Sequence, residues 1–426
     1  MPVCVGKADL NLSDPAGNTA MHIAASCKRG SYPLFSSLMV HKADVNCQNK
    51  LQQTALHLCI INIKQISPAE DMAKELISCA TVKLDVQECH GRTALWVATS
   101  MQLPNLVKLM LKHGANCDVP DEHFNTPLII AASVQHTVLV GMLVKHGADV
   151  NCQSDVGDTA LHAGLRPLPG SDSWAPEPVR LILSSGKCQL ELRNKLEQCA
   201  LATAAKRLWW AAEVVPLAAD MVRQGADVNL MDKAGRAPLH YSLMERWPPG
   251  NGGEDSGDEG ENVAAPWNSM RTEDHGAELA LALIGSKTLQ PDVVSKDAAK
   301  VTALHLAAAK GLPQVSVALI AASADPNIMC GAGEVALHKA VWRASAVHDK
   351  VALQLVRYPA STLDMATKSG HQTAMLIGVL KGREVVVSAL VEQGADPNIA
   401  DTKDDVPLHA AVRQIGKHML CTWHCY

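Results

Sequence analysis

Apolar residues recur along this chain in two alternating arrangements, and each of them predicts a short helix. In the first arrangement a Leu or Met is followed by small residues, as in Leu306-Ala307-Ala308. In the second, apolar residues form a stripe at helical spacing, most clearly over residues 106–111 and 138–144. Gly114 and Gly147 follow these stripes, where a left-handed helix C-cap is needed. The pattern therefore predicts pairs of short helices joined by polar turns.

The helix pairs return with a regular period. The first helix opens on a tetrapeptide such as Thr302-Ala303-Leu304-His305, and the turn after the second helix reads Gly147-Ala148-Asp149-Val150-Asn151. The step between tetrapeptides is 33 residues at several places along the chain. Seven tetrapeptides end in His, at His22, His57, His162, His240, His305, His338 and His409. Two motifs in phase over nearly the whole chain resemble the ankyrin repeat family.

The resemblance implies an all-α solenoid of about eleven repeats, in which paired antiparallel helices are connected by β-hairpin or turn loops. Repeats are expected over residues 1–245, including a partial N-terminal repeat, and again over 276–413. Between them, residues 246–275 are acidic and rich in Gly and Pro, which predicts a disordered insertion. Residues 414–426 leave the pattern as an irregular tail. Neither end provides an obvious polar capping repeat, so we expect a fragment, a splice form or a truncated gene model.

Composition narrows the possible classes of protein. The chain is 47% hydrophobic and only 3% aromatic, which is typical of a core of Leu, Ala and Val between small helices. A formal net charge of −5 offers no basic surface for nucleic acid, and no apolar stretch reaches the length of a membrane span. Thirteen cysteines without CxxC pairs favour reduced thiols. We therefore expect a cytoplasmic monomer, with the nucleus left open as a second location.

No motif of known catalytic chemistry is present in the sequence. The chain lacks a GxxxxGK[ST] phosphate loop, a GxSxG elbow and the Asp-His-His-Cys motif of ankyrin-bearing acyltransferases. We expect each tetrapeptide His to bond the backbone of its own repeat. We also expect Trp209 and Trp210 to pack between helices. Donor groups in the tail match no structural zinc spacing: His418, Cys421, His424 and Cys425. The sequence thus predicts no enzyme, no cofactor and no metal site.

The resemblance favours a non-catalytic interaction scaffold or adaptor whose partners are other proteins. Two alternatives stay open: a substrate-recruiting subunit of a ubiquitin ligase or another enzyme complex, and the cytosolic part of a larger ankyrin-containing protein. Candidate anchors are aromatic and Arg residues at variable positions, namely Phe124, Tyr241, Trp342 and Arg343. Phe124 stands where other repeats have Gly, on a predicted hairpin tip. The alternative for each of the four is packing within the array or simple exposure to water.

Three residues are candidates for modification. The resemblance implies that hairpin asparagines preceded by Leu-x5-Asp-Val are substrates of an oxygen-dependent asparaginyl hydroxylase. Asn46 and Asn151 match that pattern. Ser256 lies among acidic residues of the insertion, as casein-kinase-2-like enzymes prefer. Alternatively, the segment is only a spacer, and its acidic residues keep it solvated.

Overall fold

The computed structural model describes residues 9–27, 31–65, 68–166, 174–207, 213–244 and 275–413. Regular secondary structure within these ranges is helical, with isolated antiparallel bridges at Gln87–Thr93 and Ala366–Thr373. The predicted all-α class is confirmed. The chain divides into two compact units, residues 1–195 (unit 1) and residues 196–426 (unit 2).

Unit 1 contains five helix pairs in its described residues. Their bounds are α1 Ala20–Ser26 with α2 Ser31–Val40, α3 Ala55–Ile61 with α4 Ala69–Ser78, α5 Ala94–Ser100 with α6 Pro104–Lys112, α7 Pro127–Ser133 with α8 Thr137–Lys145, and α9 Ala160–Leu165 with α10 Glu177–Ser184.

Unit 2 contains five further pairs in the part that the structure describes. Their bounds are α11 Ala200–Arg207 with α12 Val214–Arg223, α13 Pro238–Leu243 with α14 His275–Ile284, α15 Ala303–Lys310 with α16 Pro313–Ala321, α17 Ala336–Trp342 with α18 Ala346–Val356, and α19 Ala374–Leu380 with α20 Glu384–Glu392. Residues 407–413 form one more helix. Every helix in the described ranges falls short of the length and hydropathy that a bilayer-spanning segment needs.

The first helix of each pair begins where the tetrapeptide predicts. The Thr93 hydroxyl accepts a hydrogen bond from the Trp96 amide at 3.2 Å, and Thr373 caps α19 through the Leu376 amide at 3.3 Å. Because the first amides of a helix have no partner inside the helix, these hydroxyls satisfy groups that would otherwise stay unpaired. Thr126 and Thr302 cap α7 and α15 in the same way.

Within each unit, helices of one pair pack on the equivalent helices of the next. In unit 1, α3 contacts α1 and α5, and α6 contacts α4 and α8; in unit 2, α15 contacts α13 and α17. Small side chains such as Ala98, Ala131 and Ala307 are completely buried, which lets neighbouring helices lie close together. Each core is therefore built from contacts between adjacent repeats, as expected of a solenoid.

Backbone hydrogen bonds connect each hairpin tip to the next. The Leu51 carbonyl accepts from the Cys89 amide, and the His90 carbonyl from the Glu122 amide, both at 3.0 Å. The same bond joins His123 to Asp155 at 2.7 Å. The tips that contain Leu51, His90, His123 and Asp155 therefore form an ordered row along the edge of unit 1, which we call the tip row.

The left-handed backbone of the tips and their close contact explain why several of them have glycine at this position. Gly157 has a φ of +79°, and a Cβ at this position would lie 2.8 Å from Asn194 Cα in the next tip. Phe124 occupies the equivalent place with a φ of +59°. The prediction that Phe124 replaces a tip glycine is therefore confirmed by its backbone conformation.

Several predictions fall on residues outside the described ranges. They include most of the insertion with Ser256, the C-terminal tail, and Trp209 with Trp210. Residues on either side of 245–274 nevertheless pack as neighbouring repeats do. The Lys296 amide donates to the Ala234 carbonyl at 2.8 Å, and Arg236 Nη2 contacts Asp297 Oδ2 at 2.7 Å.

Candidate functional site

The tetrapeptide histidines connect adjacent repeats. His57 Nδ1 accepts from the Thr54 amide at 3.3 Å, and its Nε2 lies 3.2 Å from the Arg92 carbonyl of the next tip. An amide N–H can only donate, so Nδ1 must be the acceptor and Nε2 must carry the proton. The same pair of contacts occurs at His22, His240, His305 and His338.

The prediction for these histidines was therefore incomplete. Each ring bonds its own repeat, as expected, but it also donates to a carbonyl in the next one. His409 departs from this pattern: its ring is exposed and lies 3.9 Å from Asp405 Oδ1. Most of these imidazoles are thus structural and leave no nitrogen for catalysis or proton transfer.

Burial keeps four of the bridging imidazoles neutral. Desolvation is the largest effect and lowers the pKa of His305 from 6.5 to about 4. It also lowers the pKa of His57, His240 and His338, although the carbonyl contact partly opposes it. A low pKa keeps Nδ1 available as the acceptor that the tetrapeptide requires.

A tryptophan takes the histidine position in the third repeat. Trp96 Nε1 donates to the Asn125 carbonyl at 3.1 Å, which replaces the imidazole contact with the next tip. The Arg92 guanidinium lies 5.4 Å from the ring centre and forms an ion pair with Glu88 at 2.6 Å. Trp96 therefore provides the N–H donor that reaches the next repeat, as the imidazoles do elsewhere, whereas Ile129 and Leu376 at the same position have no such donor.

Exposed apolar side chains occur along the tip row of unit 1, where polar residues are the norm. Phe124 is 59% exposed, Leu51 is 55% exposed and Val156 is 42% exposed. The sequence reasoning identified Phe124 but missed Leu51 and Val156. Both occupy the same place in their tips, next to the left-handed residue, so alignment of the repeats could have found them.

Trp342 and Arg343 are exposed at the end of α17 in unit 2. Trp342 is 50% exposed, and Lys381 Nζ lies 4.4 Å from the centre of its ring. The Arg343 carbonyl accepts a hydrogen bond from the buried Arg383 guanidinium. The two predicted anchors are brought together at one accessible place, with the ring face covered by Lys381.

The prediction for Tyr241 is wrong. This side chain is only 3% exposed, and its hydroxyl donates to Asp232 Oδ2. Desolvation, together with this carboxylate, raises the pKa of the Tyr241 phenol. Tyr241 therefore packs inside unit 2 and has no surface to offer to a partner.

Asn46 and Asn151 connect successive turns through their side-chain amides. Asn151 Nδ2 donates to the Lys187 carbonyl at 3.0 Å, and its Oδ1 accepts from the Gln189 amide at 2.7 Å. Asn46 makes the equivalent bonds to Thr81 and Lys83. Hydroxylation of either residue stays a prediction.

A cluster of histidine and carboxylate side chains on the tip row was not predicted. His90 Nδ1 lies 2.9 Å from Glu122 Oε1, and His123 Nε2 lies 4.0 Å from the same oxygen. His123 Nδ1 in turn lies 3.1 Å from Asp155 Oδ2. His90 and His123 are one 33-residue period apart, which is the sequence feature that could have brought them together.

Comparisons with known proteins match parts of the chain. A family model described as ankyrin repeats in three copies matches residues 22–121, one described as ankyrin repeats in many copies matches 86–162, and one for the single ankyrin repeat matches 300–330. Human inversin (Homo sapiens) is 31% identical over 109 residues, and mouse inversin (Mus musculus) is 30% identical over the same length. These alignments cover 26% of this chain and 10% of inversin, so the chain spans about a tenth of those relatives.

Solved structures of ankyrin repeat proteins are also similar to the chain. The ankyrin repeat domain of Bcl-3 is 23% identical, with a TM-score of 0.42, and the alignment covers 53% of this chain and 94% of that domain. The ankyrin repeat protein EF0377 is 19% identical, with a TM-score of 0.39, and the alignment covers 47% of this chain and 92% of that protein.

Proposed function

We propose that this chain, parts of which match ankyrin repeat models, is a non-catalytic scaffold or adaptor that binds other proteins through the tip row of unit 1. Ankyrin repeats are protein–protein interaction modules, and stacked repeats present long surfaces of side chains that are free to vary. Partner recognition then depends on the residues that depart from the repeat pattern.

Phe124 is the observation that carries this proposal. A bulky residue with a positive φ costs roughly 1 kcal/mol or more relative to glycine, which stands at equivalent tips such as Gly91 and Gly157. Gln52 shares this conformation, so the feature particular to Phe124 is its aromatic ring. More than half of the Phe124 surface is exposed, so packing within the repeat does not compensate for this cost. Strain of this kind together with an exposed aromatic ring is typical of a binding anchor.

The surroundings of Phe124 support a protein partner. Leu51 and Val156 add apolar surface on the same row, and His90 and Glu122 add polar groups between them. An apolar centre with polar neighbours is the usual composition of a protein interface. Trp342 and Arg343 offer a second contact surface within unit 2.

We further propose that the protein is located in the cytoplasm. Cysteines in the described ranges, such as Cys59, Cys117 and Cys152, are free thiols. Burial raises the pKa of Cys59 to about 12 and that of Cys152 to about 11, so these two stay protonated. Free, unreactive thiols fit a reducing compartment.

The decisive experiment compares two glycine substitutions at equivalent tip positions. Phe124→Gly removes the aromatic ring, whereas Gln52→Gly relieves the same backbone conformation, a φ of +57°, without removing an apolar group. A partner is first identified by photo-crosslinking from position 124, and its Kd is then measured with purified proteins.

We expect Phe124→Gly to weaken binding by roughly 30-fold, as loss of an aromatic anchor does, and Gln52→Gly to leave the Kd unchanged. Neither substitution should lower the melting temperature, because glycine adopts a positive φ without strain. Equal Kd values for all three proteins would contradict the proposed surface.

A further inference from the structure

Two imidazoles approach one carboxylate on the tip row of unit 1. His90 Nδ1 and His123 Nε2 lie 2.9 Å and 4.0 Å from Glu122 Oε1. Zinc bonds to nitrogen and oxygen of about 2.0–2.2 Å place adjacent ligand atoms of a tetrahedral site about 3.4 Å apart. The two observed distances lie on either side of that value. His90 Nδ1 and His123 Nε2 lie more than 4.8 Å from each other, so both exposed rings have to turn toward Glu122 Oε1 before three donor atoms can surround a single ion.

Asp155 gives the cluster the outer partner that metal-binding histidines usually have. Its Oδ2 lies 3.1 Å from His123 Nδ1, on the opposite side of the ring from Glu122. A carboxylate that accepts the Nδ1 proton leaves the Nε2 lone pair free and directs it toward the metal. The backbone bonds from His90 to Glu122 and from His123 to Asp155 hold the three tips in this register.

A second group of donor atoms, Glu88, Cys89 and His90, lies within one tip. Its carboxylate is already occupied: Arg92 Nε contacts Glu88 Oε1 at 2.6 Å, and the Cys89 thiol donates to Glu88 Oε2 at 3.3 Å. The Glu88 side chain is also buried, unlike that of Glu122. A metal at Glu88 would have to displace an arginine, so the site at Glu122 is favoured.

We propose that the tip row of unit 1 binds one divalent transition-metal ion of the zinc class through His90, Glu122 and His123, with Asp155 positioning His123. Imidazole nitrogens select zinc, copper, nickel or iron over magnesium and calcium, which prefer oxygen ligands. The ion connects the tips of two consecutive repeats beside Phe124. Three protein ligands leave a fourth position for water or for a partner's side chain.

The test uses the full chain, stripped with a chelator and kept reduced. Zinc binding is measured by competition with a chromophoric chelator in the wild type and in four variants: His90→Ala, His123→Ala, Asp155→Asn and the matched control His146→Ala, an exposed histidine at the end of α8. Co²⁺ titration reports the ligand type, because thiolate ligands give an intense charge-transfer band and nitrogen or oxygen ligands do not.

We expect one zinc equivalent that disappears in His90→Ala and in His123→Ala and stays in His146→Ala. Asp155→Asn should weaken it by roughly 10- to 100-fold, as loss of an outer partner does. The Co²⁺ complex should show no thiolate band, and Cys89→Ser should bind zinc as the wild type does. Circular dichroism checks that each variant keeps its helices.

Three results would overturn the proposal. One is an unchanged zinc equivalent in both His90→Ala and His123→Ala. Another is equal loss in His146→Ala, which indicates scattered surface binding. The third is a thiolate band that disappears in Cys89→Ser, which assigns the ion to Glu88, Cys89 and His90 instead.

Discussion

Four bridging histidines make the stability of the array dependent on pH: His57, His240, His305 and His338. The folded protein holds His305 neutral with a pKa of about 4, against 6.5 in an unfolded chain. Above pH 6.5 both states are neutral and the difference has no effect. As the pH falls from 6.5 toward 4, the unfolded chain takes up a proton that the folded ring does not, so folding becomes less favourable.

We therefore expect the free energy of unfolding to decrease between pH 6.5 and 4.5. The contribution of His305 reaches roughly 3 kcal/mol when the pH approaches the pKa of about 4 that this ring has in the folded protein. Urea titrations at a series of pH values measure this decrease. Aspartates with lowered pKa values, such as Asp297, act only below this window, since their ordinary pKa is 3.8. His305→Gln should flatten the curve, and a curve that is already flat in the wild type would contradict the role of these rings.

The tetrapeptide predicted only some of the contacts that these histidines make. The Thr cap and the contact of Nδ1 within the repeat follow from a spacing of three residues, which the sequence displays directly. The Nε2 partner of His305 is Glu334 in the next repeat, and it becomes apparent only once the repeats are stacked. Tyr241 was misassigned for a related reason, because Asp232, which binds its hydroxyl, precedes the helix by a whole turn segment.

At the scale of elements, the connecting turns are held together by asparagine side chains. Asn151 bonds Lys187 and Gln189, and Asn327 makes the same bridge to Ala360 and Thr362. In the turn after α20, the contact of Asn398 Nδ2 among the described residues is instead with Asp396, two residues away. Because Asn151 and Asn398 are the same residue type in the same motif, they form a matched pair for measuring what the bridge between turns contributes.

We expect Asn151→Ala to destabilise unit 1 by about 1–3 kcal/mol, because it leaves a carbonyl and an amide of the next turn without their partner. Asn398→Ala should change stability by less than about 0.5 kcal/mol, as exposed substitutions usually do. Differential scanning calorimetry compares the two. Equal shifts in melting temperature would show that the bridge between turns adds nothing.

The sequence indicates the end of a helix where a glycine follows it, but not where another residue takes the left-handed position. Gly114 and Gly147 follow α6 and α8 with φ values of +85° and +90°, as their place in the pattern indicates. Lys42 after α2 and Ser323 after α16 adopt the same left-handed conformation, at +59° and +69°. A side chain does not forbid this backbone region, so composition alone could not locate those two caps.

At the scale of the molecule, each unit is stabilised by contacts between neighbouring repeats. The 33-residue period predicted this architecture, because a repeat of two short helices cannot bury its apolar face alone. The period also placed His90 and His123 in equivalent tips. It could not show that their rings turn toward Glu122, which depends on side-chain rotation and on the stacking of consecutive tips.

Damage to one repeat should therefore spread to its neighbours and then stop. Leu304 is buried in α15, which contacts α13 and α17, whereas Val317 in the adjacent α16 is 47% exposed. Leu304→Asp places a charge in the core of unit 2 and should cost more than about 4 kcal/mol there. Val317→Asp adds the same charge at the surface and should leave stability nearly unchanged.

Hydrogen-exchange mass spectrometry separates local from global loss of structure. In Leu304→Asp, protection should fall in α13, α15 and α17, while α3, α5 and α7 of unit 1 keep their wild-type protection. A chain whose stability is a sum of repeats and interfaces between adjacent repeats can lose one region in this way. If α3 and α5 lost protection together with α15, the chain would fold as one cooperative block, and the nearest-neighbour account of its stability would fail.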